Sequence, residues 1–199
     1  MNNLINNNNN IKLIVGLSNP GEKYAFSRHN VGSWYVRILA NKYNHTLIQK
    51  KIFHSHITKI VIANRNIWLL IPDTFMNMNG ISVAAMANYY KISPEEILVA
   101  HDELQFAPGI AKFKLCGGHG GHNGIKNIIN HLGQNKNFKR LRIGIGVPNN
   151  RNEINSFVLD KPSKKEQILI KNAIYKSIYC TVILLQEGMI KAMNLLHTL

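Results

Sequence analysis

The chain alternates short apolar runs with longer stretches in which apolar residues recur every three or four positions. Ile11 to Val15 is an apolar run closed by Gly16, the pattern of a strand buried on both faces. The turn-rich GLSNPGEKY follows as a loop, and Asn30 to Tyr43 then carries Val31, Trp34, Ile38 and Leu39 at helical spacing. Ile52 to Ile62 and Ile67 to Ile71 read as two strands of a hairpin turning at Asn64-Arg65. Gly80 to Tyr90 predicts a helix with Val83, Met86, Ala87 and Tyr90 on one face. Ser93-Pro94-Glu95-Glu96 is a turn into a strand over Ile97 to His101. Ile110, Lys112 and Lys114 alternate with Ala111, Phe113 and Leu115, a strand with one basic and one apolar face. A glycine-rich loop from Gly117 to Gly124 leads into a helix over Ile125 to Leu132, and Arg140 to Val147 is a further strand. Lys164 to Leu195 has the spacing of an amphipathic helix or helix pair, with Gly188 as the break. Strands alternating with helices predict one α/β domain over 11–199, a three-layer arrangement with a twisted mixed sheet flanked by helices.

Residues 1–10 stand apart. Seven of them are Asn, with neither a basic region nor an apolar stretch, so they predict a disordered leader and no secretory signal. No apolar run reaches the roughly 18 to 20 residues that span a bilayer. Cys116 and Cys180 form no metal-like spacing and no disulfide framework, which points to a reducing, cytoplasmic setting without a membrane partner. Lys and Arg outnumber Asp and Glu by 24 to 10, a formal charge of +14 with a pI near 9.9. Such an excess favours a polyanionic partner, because each neutralised phosphate releases counterions.

Four stretches are too specific in composition for ordinary connections. They are Gly16-Leu17-Ser18-Asn19-Pro20-Gly21, with Tyr24 and the run Ser27-Arg28-His29-Asn30-Val31-Gly32 behind it; Thr74-Phe75-Met76-Asn77; His101-Asp102-Glu103-Leu104; and Gly117-Gly118-His119-Gly120-Gly121-His122-Asn123-Gly124. In this order and at these separations they resemble the signatures of the bacterial-type peptidyl-tRNA hydrolases, from about Lys12 to the C-terminal helix. The resemblance implies hydrolysis of the ester joining a peptide to the terminal ribose of tRNA, recycling tRNA stranded by aborted translation. It makes His29 the residue that activates water and Asp102 its support. Asn19, Asn77 and Asn123 match substrate-cleft positions, with Tyr24 and Met76 lining the same cleft. Lys112, Lys114 and Arg142 match positions at the tRNA-binding edge. A monomer with no cofactor, acting on peptidyl-tRNA and not on DNA, is the expectation. Ser18, Ser27 and Cys116 depart from the common pattern, as does the Asn-rich leader.

The same chemistry follows from the residue types. Ester hydrolysis near neutrality needs a base poised near pH 7, and histidine, with an ordinary pKa of about 6.5, is nearest. A carboxylate on the far ring nitrogen holds the tautomer and stabilises the imidazolium as it forms. Asn77 and Asn123 supply uncharged donors for an oxyanion, where a buried cation would weaken the base. Ser18 and Ser27 lack the setting of an acyl-enzyme nucleophile, and Glu103 reads as structural. The helix after Asn123 offers free amides for a phosphate or carbonyl oxygen. Two other readings stay open on the residues alone: an RNA-binding module without catalysis, and a metal-dependent hydrolase using Asp102, His119 and His122.

Overall fold

The computed structural model describes residues 10–148 and 150–198. The leader expected over 1–10 therefore lies outside the described residues except for Asn10, whose side-chain amide donates to Glu96 Oε1 at 2.6 Å.

Among the described residues the strands are β1 (Leu13–Gly16), β2 (Ile48–Lys50), β3 (Ser55–Ile62), β4 (Arg65–Pro72), β5 (Ile97–Glu103), β6 (Ala111–Lys114) and β7 (Lys139–Gly144). They form one sheet in the order β2-β3-β4-β1-β5-β7-β6. The four inner strands β4, β1, β5 and β7 are mutually parallel, while β3 and β6 run against them. The helices are α1 (Val31–Lys42), α2 (Asn79–Tyr90), α3 (Asn123–His131), α4 (Ile154–Leu159), α5 (Lys164–Glu187) and α6 (Met189–Thr198).

The parallel strands read as continuous apolar runs because both faces are covered: every residue of β1 is buried. On one face Ile14, Leu98 and Leu141 pack with Leu39, Ile174 and Leu184 of α1 and α5. On the other, Leu13, Val15 and Val99 pack with Val83, Ile125 and Ile128 of α2 and α3. Each such side chain contributes on the order of 1.5–3 kcal/mol by leaving water. These are the three expected layers. By length and composition α5 could cross a membrane. Its apolar residues Ile170, Ile174, Ile178 and Leu184 are instead buried in the core.

Several boundaries differ from the sequence expectation. The β3–β4 hairpin turns at Ala63-Asn64, both with positive φ, one residue before the expected Asn64-Arg65, because Arg65 is already paired with Ile62. Strand β5 continues through Asp102 and Glu103, so the third motif is strand rather than loop. Edge strand β2 and the short helix α4 had no clear periodic signal. Gly188, at φ 100°, does divide α5 from α6.

Two glycines determine how closely α1 lies on the sheet. A Cβ on Gly16 would collide with the Gly32 carbonyl, and one on Gly32 with the Ala100 carbonyl. Leu17 N–H extends the β1–β5 pairing to Ala100 O at 3.0 Å. The turn Arg28–Asn30, immediately before α1, is thereby laid against the end of β5.

Candidate active site

The chain leaves β1 at the centre of the sheet, builds β4 on one side and returns to build β5 on the other. A crevice therefore opens beyond the carboxyl ends of β1 and β5, where parallel α/β sheets bind ligands. His29 arrives from the β1–α1 connection and Asp102 from the end of β5. His29 Nδ1 lies 2.8 Å from Asp102 Oδ1. Asp102 is only 4% exposed. With Nδ1 committed, Nε2 is the ring nitrogen left to take a proton from water.

A third side chain completes the cluster. His122 Nε2 lies 2.9 Å from the same Asp102 Oδ1. Its other ring nitrogen, Nδ1, accepts the Gly124 and Ile125 backbone N–H groups at 3.1 and 3.3 Å and so caps α3. A nitrogen that accepts two N–H donors carries no proton, so Nε2 carries it and donates to Asp102. These two amides are those expected to be free for a substrate oxygen; His122 already occupies them. His122, considered from sequence only as a candidate metal ligand with Asp102 and His119, carried no signal of this cap, since histidine is not a common cap residue.

Burial works against the His29 imidazolium, but the Asp102 charge and hydrogen bond outweigh it and raise the His29 pKa above 6.5. Burial likewise disfavours the Asp102 carboxylate. Protonated His29 and hydrogen bonds from both histidines outweigh it and hold Asp102 far below the usual carboxylate range. His101 points inward: Nδ1 donates to the Asp102 carbonyl at 2.6 Å, and burial drives its pKa well down, keeping it neutral.

The ligand atoms of His29, Asp102 and His122 lie within 4.8 Å of one another, close enough to suggest a cation site. The proton on His122 Nε2 argues against one, since a metal there would require an imidazolate or loss of the α3 cap. The trio also differs from the Asp102, His119, His122 set considered from sequence. His119 Nδ1 instead accepts the Gly121 N–H at 3.1 Å.

The asparagines divide by burial. Asn19 is buried, and its Oδ1 accepts the Met76 N–H at 2.8 Å, joining the first and second motifs. Asn30, which had no assigned role, clasps Asn19 from both sides: its Oδ1 accepts Asn19 N–H and its Nδ2 donates to Asn19 O. Asn79 similarly ties Ser18 to Thr74 and Phe75. Asn77 and Asn123 are exposed. Met76 is 4% exposed and packs where a Cβ on Gly124 would meet its sulfur, a core position. Half-buried Tyr24 sits in a 3-10 turn beneath Lys23.

A cavity of about 420 Å³ contains His29, Asp102, His122 and Asn123, with Lys114, Arg140, Arg142 and the α4 residues Ile154, Asn155 and Val158 in its wall. Asn19, Tyr24, Met76, Asn77 and Lys112 do not line it. A second cavity, about 450 Å³, lies between α1, the ends of β3 and β4 and the start of α5. It contains Asn19 but neither His29 nor Asp102.

The basic residues share one strand face: Lys112 pairs with Arg142 across β6–β7, and Lys114 with Arg140. Lys112 and Arg142 both lie over the Phe106 ring, and Arg142 Nε is 2.7 Å from Glu103 Oε2. Arg140 donates to the carbonyls of Gly117 and Gly118, which fastens the glycine loop to β7. The basic face is thus partly a wall of the same cavity rather than a wholly separate surface.

Comparison with known proteins gives a consistent result. The family described as Peptidyl-tRNA hydrolase matches residues 13–199. The chain is 58% identical over 187 residues to a peptidyl-tRNA hydrolase of Yersinia pseudotuberculosis serotype O:1b, covering 94% of this chain and 95% of the relative. With the enzyme of Pectobacterium atrosepticum the identity is 56%, covering 94% and 96%. The crystal structure of peptidyl-tRNA hydrolase from Acinetobacter baumannii superposes with a TM-score of 0.91 at 44% identity, covering 95% of each chain.

Proposed function

The chain belongs to the peptidyl-tRNA hydrolase family and hydrolyses peptidyl-tRNA, and we propose that His29 is the base that activates the attacking water. The observation that carries this reading is the 2.8 Å contact between His29 Nδ1 and Asp102 Oδ1 at the wall of the cavity. Water gives its proton to His29 Nε2 as its oxygen attacks the ester carbonyl, and Asp102 stabilises the resulting imidazolium. As the tetrahedral intermediate collapses, the tRNA 3′-terminal ribose oxygen leaves and takes that proton. The products are free peptide and tRNA. Asn123, at the cavity, is placed to donate to the oxyanion or to the peptide, with Asn77 on the exposed rim.

Asn19 acts at one remove, holding the Met76 segment with its carbonyl oxygen while its amide nitrogen faces no partner among the described residues. Met76 and Tyr24 shape the cleft from behind. Lys112, Lys114 and Arg142 meet the tRNA backbone, which agrees with the +14 formal charge. The enzyme works as a cytoplasmic monomer on RNA, with neither DNA nor membrane as a partner, and recycles tRNA from aborted translation. Residues 11–199 form its catalytic domain.

Peptide release from peptidyl-tRNA tests this, using wild type and His29→Ala with and without chelator. His29→Ala is expected to lose about 10²- to 10⁴-fold in kcat with tRNA binding retained, and chelator to have no effect. Unimpaired cleavage by His29→Ala would remove it from the mechanism. Loss of activity in chelator would replace the water-activating base with a metal centre.

A further inference from the structure

We propose that Arg28 is a positioning residue: its guanidinium fastens α4, one wall of the cavity, to the turn that carries His29, and thereby sets how well peptidyl-tRNA is held. This rests on the cavity around His29 being the reaction site. Arg28 is only 8% exposed. Nη1 donates to the carbonyls of Phe157, Asp160 and Lys161 at 3.4, 3.5 and 3.2 Å. Nη2 lies 3.2 Å from Glu166 Oε2. The guanidinium carbon stands 4.1 Å from the centre of the Phe157 ring, and Arg28 backbone N–H donates to Asp160 O at 3.0 Å.

These contacts belong together physically. Phe157 and Asp160 are at the carboxyl end of α4, where a helix leaves carbonyls without intrahelical donors and gathers partial negative charge. A planar cation with several donors suits that end better than an ammonium would. Glu166 is the capping-box residue of α5, bonded to Ser163, so one guanidinium spans the end of α4 and the start of α5. Six residues are too few for α4 to hold its own shape, so its position depends on what fastens its ends. Ile154, Asn155 and Val158 of this helix face the cavity, and the residue after Arg28 is His29. Pairing with Glu166 also directs the Arg28 charge toward α5 rather than toward the His29–Asp102 pair.

Arg28→Lys keeps the charge but loses the planar set of donors. The expected result is a KM for peptidyl-tRNA raised about tenfold, with kcat and the pH midpoint close to wild type. Amide exchange at Val158 to Lys161 should accelerate while that of β5 is unchanged. Glu166→Gln, which keeps an oxygen for the Ser163 cap, should shift KM the same way by less. A fall in kcat at constant KM, a moved pH midpoint, or unchanged exchange at Val158 to Lys161 would overturn the proposal. If Arg28→Lys does not fold, Glu166→Gln and Phe157→Leu decide it, unchanged KM in both counting against the clamp. Should His29→Ala retain cleavage, the reading of the cavity fails, whereas the exchange result still reports whether Arg28 holds α4.

Discussion

The His29–Asp102–His122 cluster and the basic face of β6 and β7 border one cavity, yet they are built in opposite ways. In the cluster, the backbone positions each of the three side chains that meet at Asp102 Oδ1. Glycine contacts lay the His29 turn on β5, Asp102 is part of a strand, and the α3 amides choose the proton position on His122. On the strand face, Lys112 and Lys114 are long, half-buried side chains brought to one face by strand alternation. The contrast separates two tasks. A general base needs one geometry and one tautomer, whereas a phosphate backbone accepts charge over a range of positions. The two arginines in the cavity wall, Arg140 and Arg142, are engaged by loop carbonyls and by Glu103.

The largest expected effect breaks the cluster and leaves the strand face intact. Asp102→Asn should lower kcat by about 10²- to 10⁴-fold, measured by peptide release, with tRNA affinity unchanged. Loss of affinity in place of rate would mean that Asp102 serves binding.

The pH profile sharpens the same point. The raised His29 pKa means that the proton is held to higher pH, so the acid limb of kcat/KM should have its midpoint above 6.5. The stabilisation from the protonated pair is full below that value and fades as pH rises through the folded pKa. In Asp102→Asn only burial remains, and the midpoint should move down; a midpoint that stays put would detach the limb from this pair.

A smaller effect is expected from His122→Ala, which removes both an Asp102 donor and the α3 cap. Stability should fall by about 1 kcal/mol in denaturant titration, and kcat by roughly tenfold. Unchanged kcat with the stability loss would reduce His122 to a cap. Gly32→Ala tests the close approach of α1 and should cost about 1–3 kcal/mol, read from the same titration.

The smallest effect lies on the strand face. Lys112→Ala and Lys114→Ala should each flatten the slope of log affinity against log salt by about 0.7 to 0.9 while leaving kcat near wild type. An unchanged slope would take that lysine off the tRNA edge.

By itself the sequence determined most of the elements, because buried parallel strands and amphipathic helices write their burial into apolar runs and spacing. His29 and Asp102 were legible through their motifs, and the basic strand face through simple alternation. The tertiary structure alone decided three things. It placed Asp102 on a strand, since the polar His101-Asp102-Glu103 interrupts an apolar pattern although the backbone pairing with β7 continues. It turned Asn79 into a tie between the first two motifs, a contact joining residues 61 positions apart, and made Asn30 the clasp on Asn19, whose own side chain reaches Met76. It also gave His122 its proton. A side-chain tautomer depends on the partner of the other ring nitrogen, and that partner exists only once α3 has formed beside the end of β5.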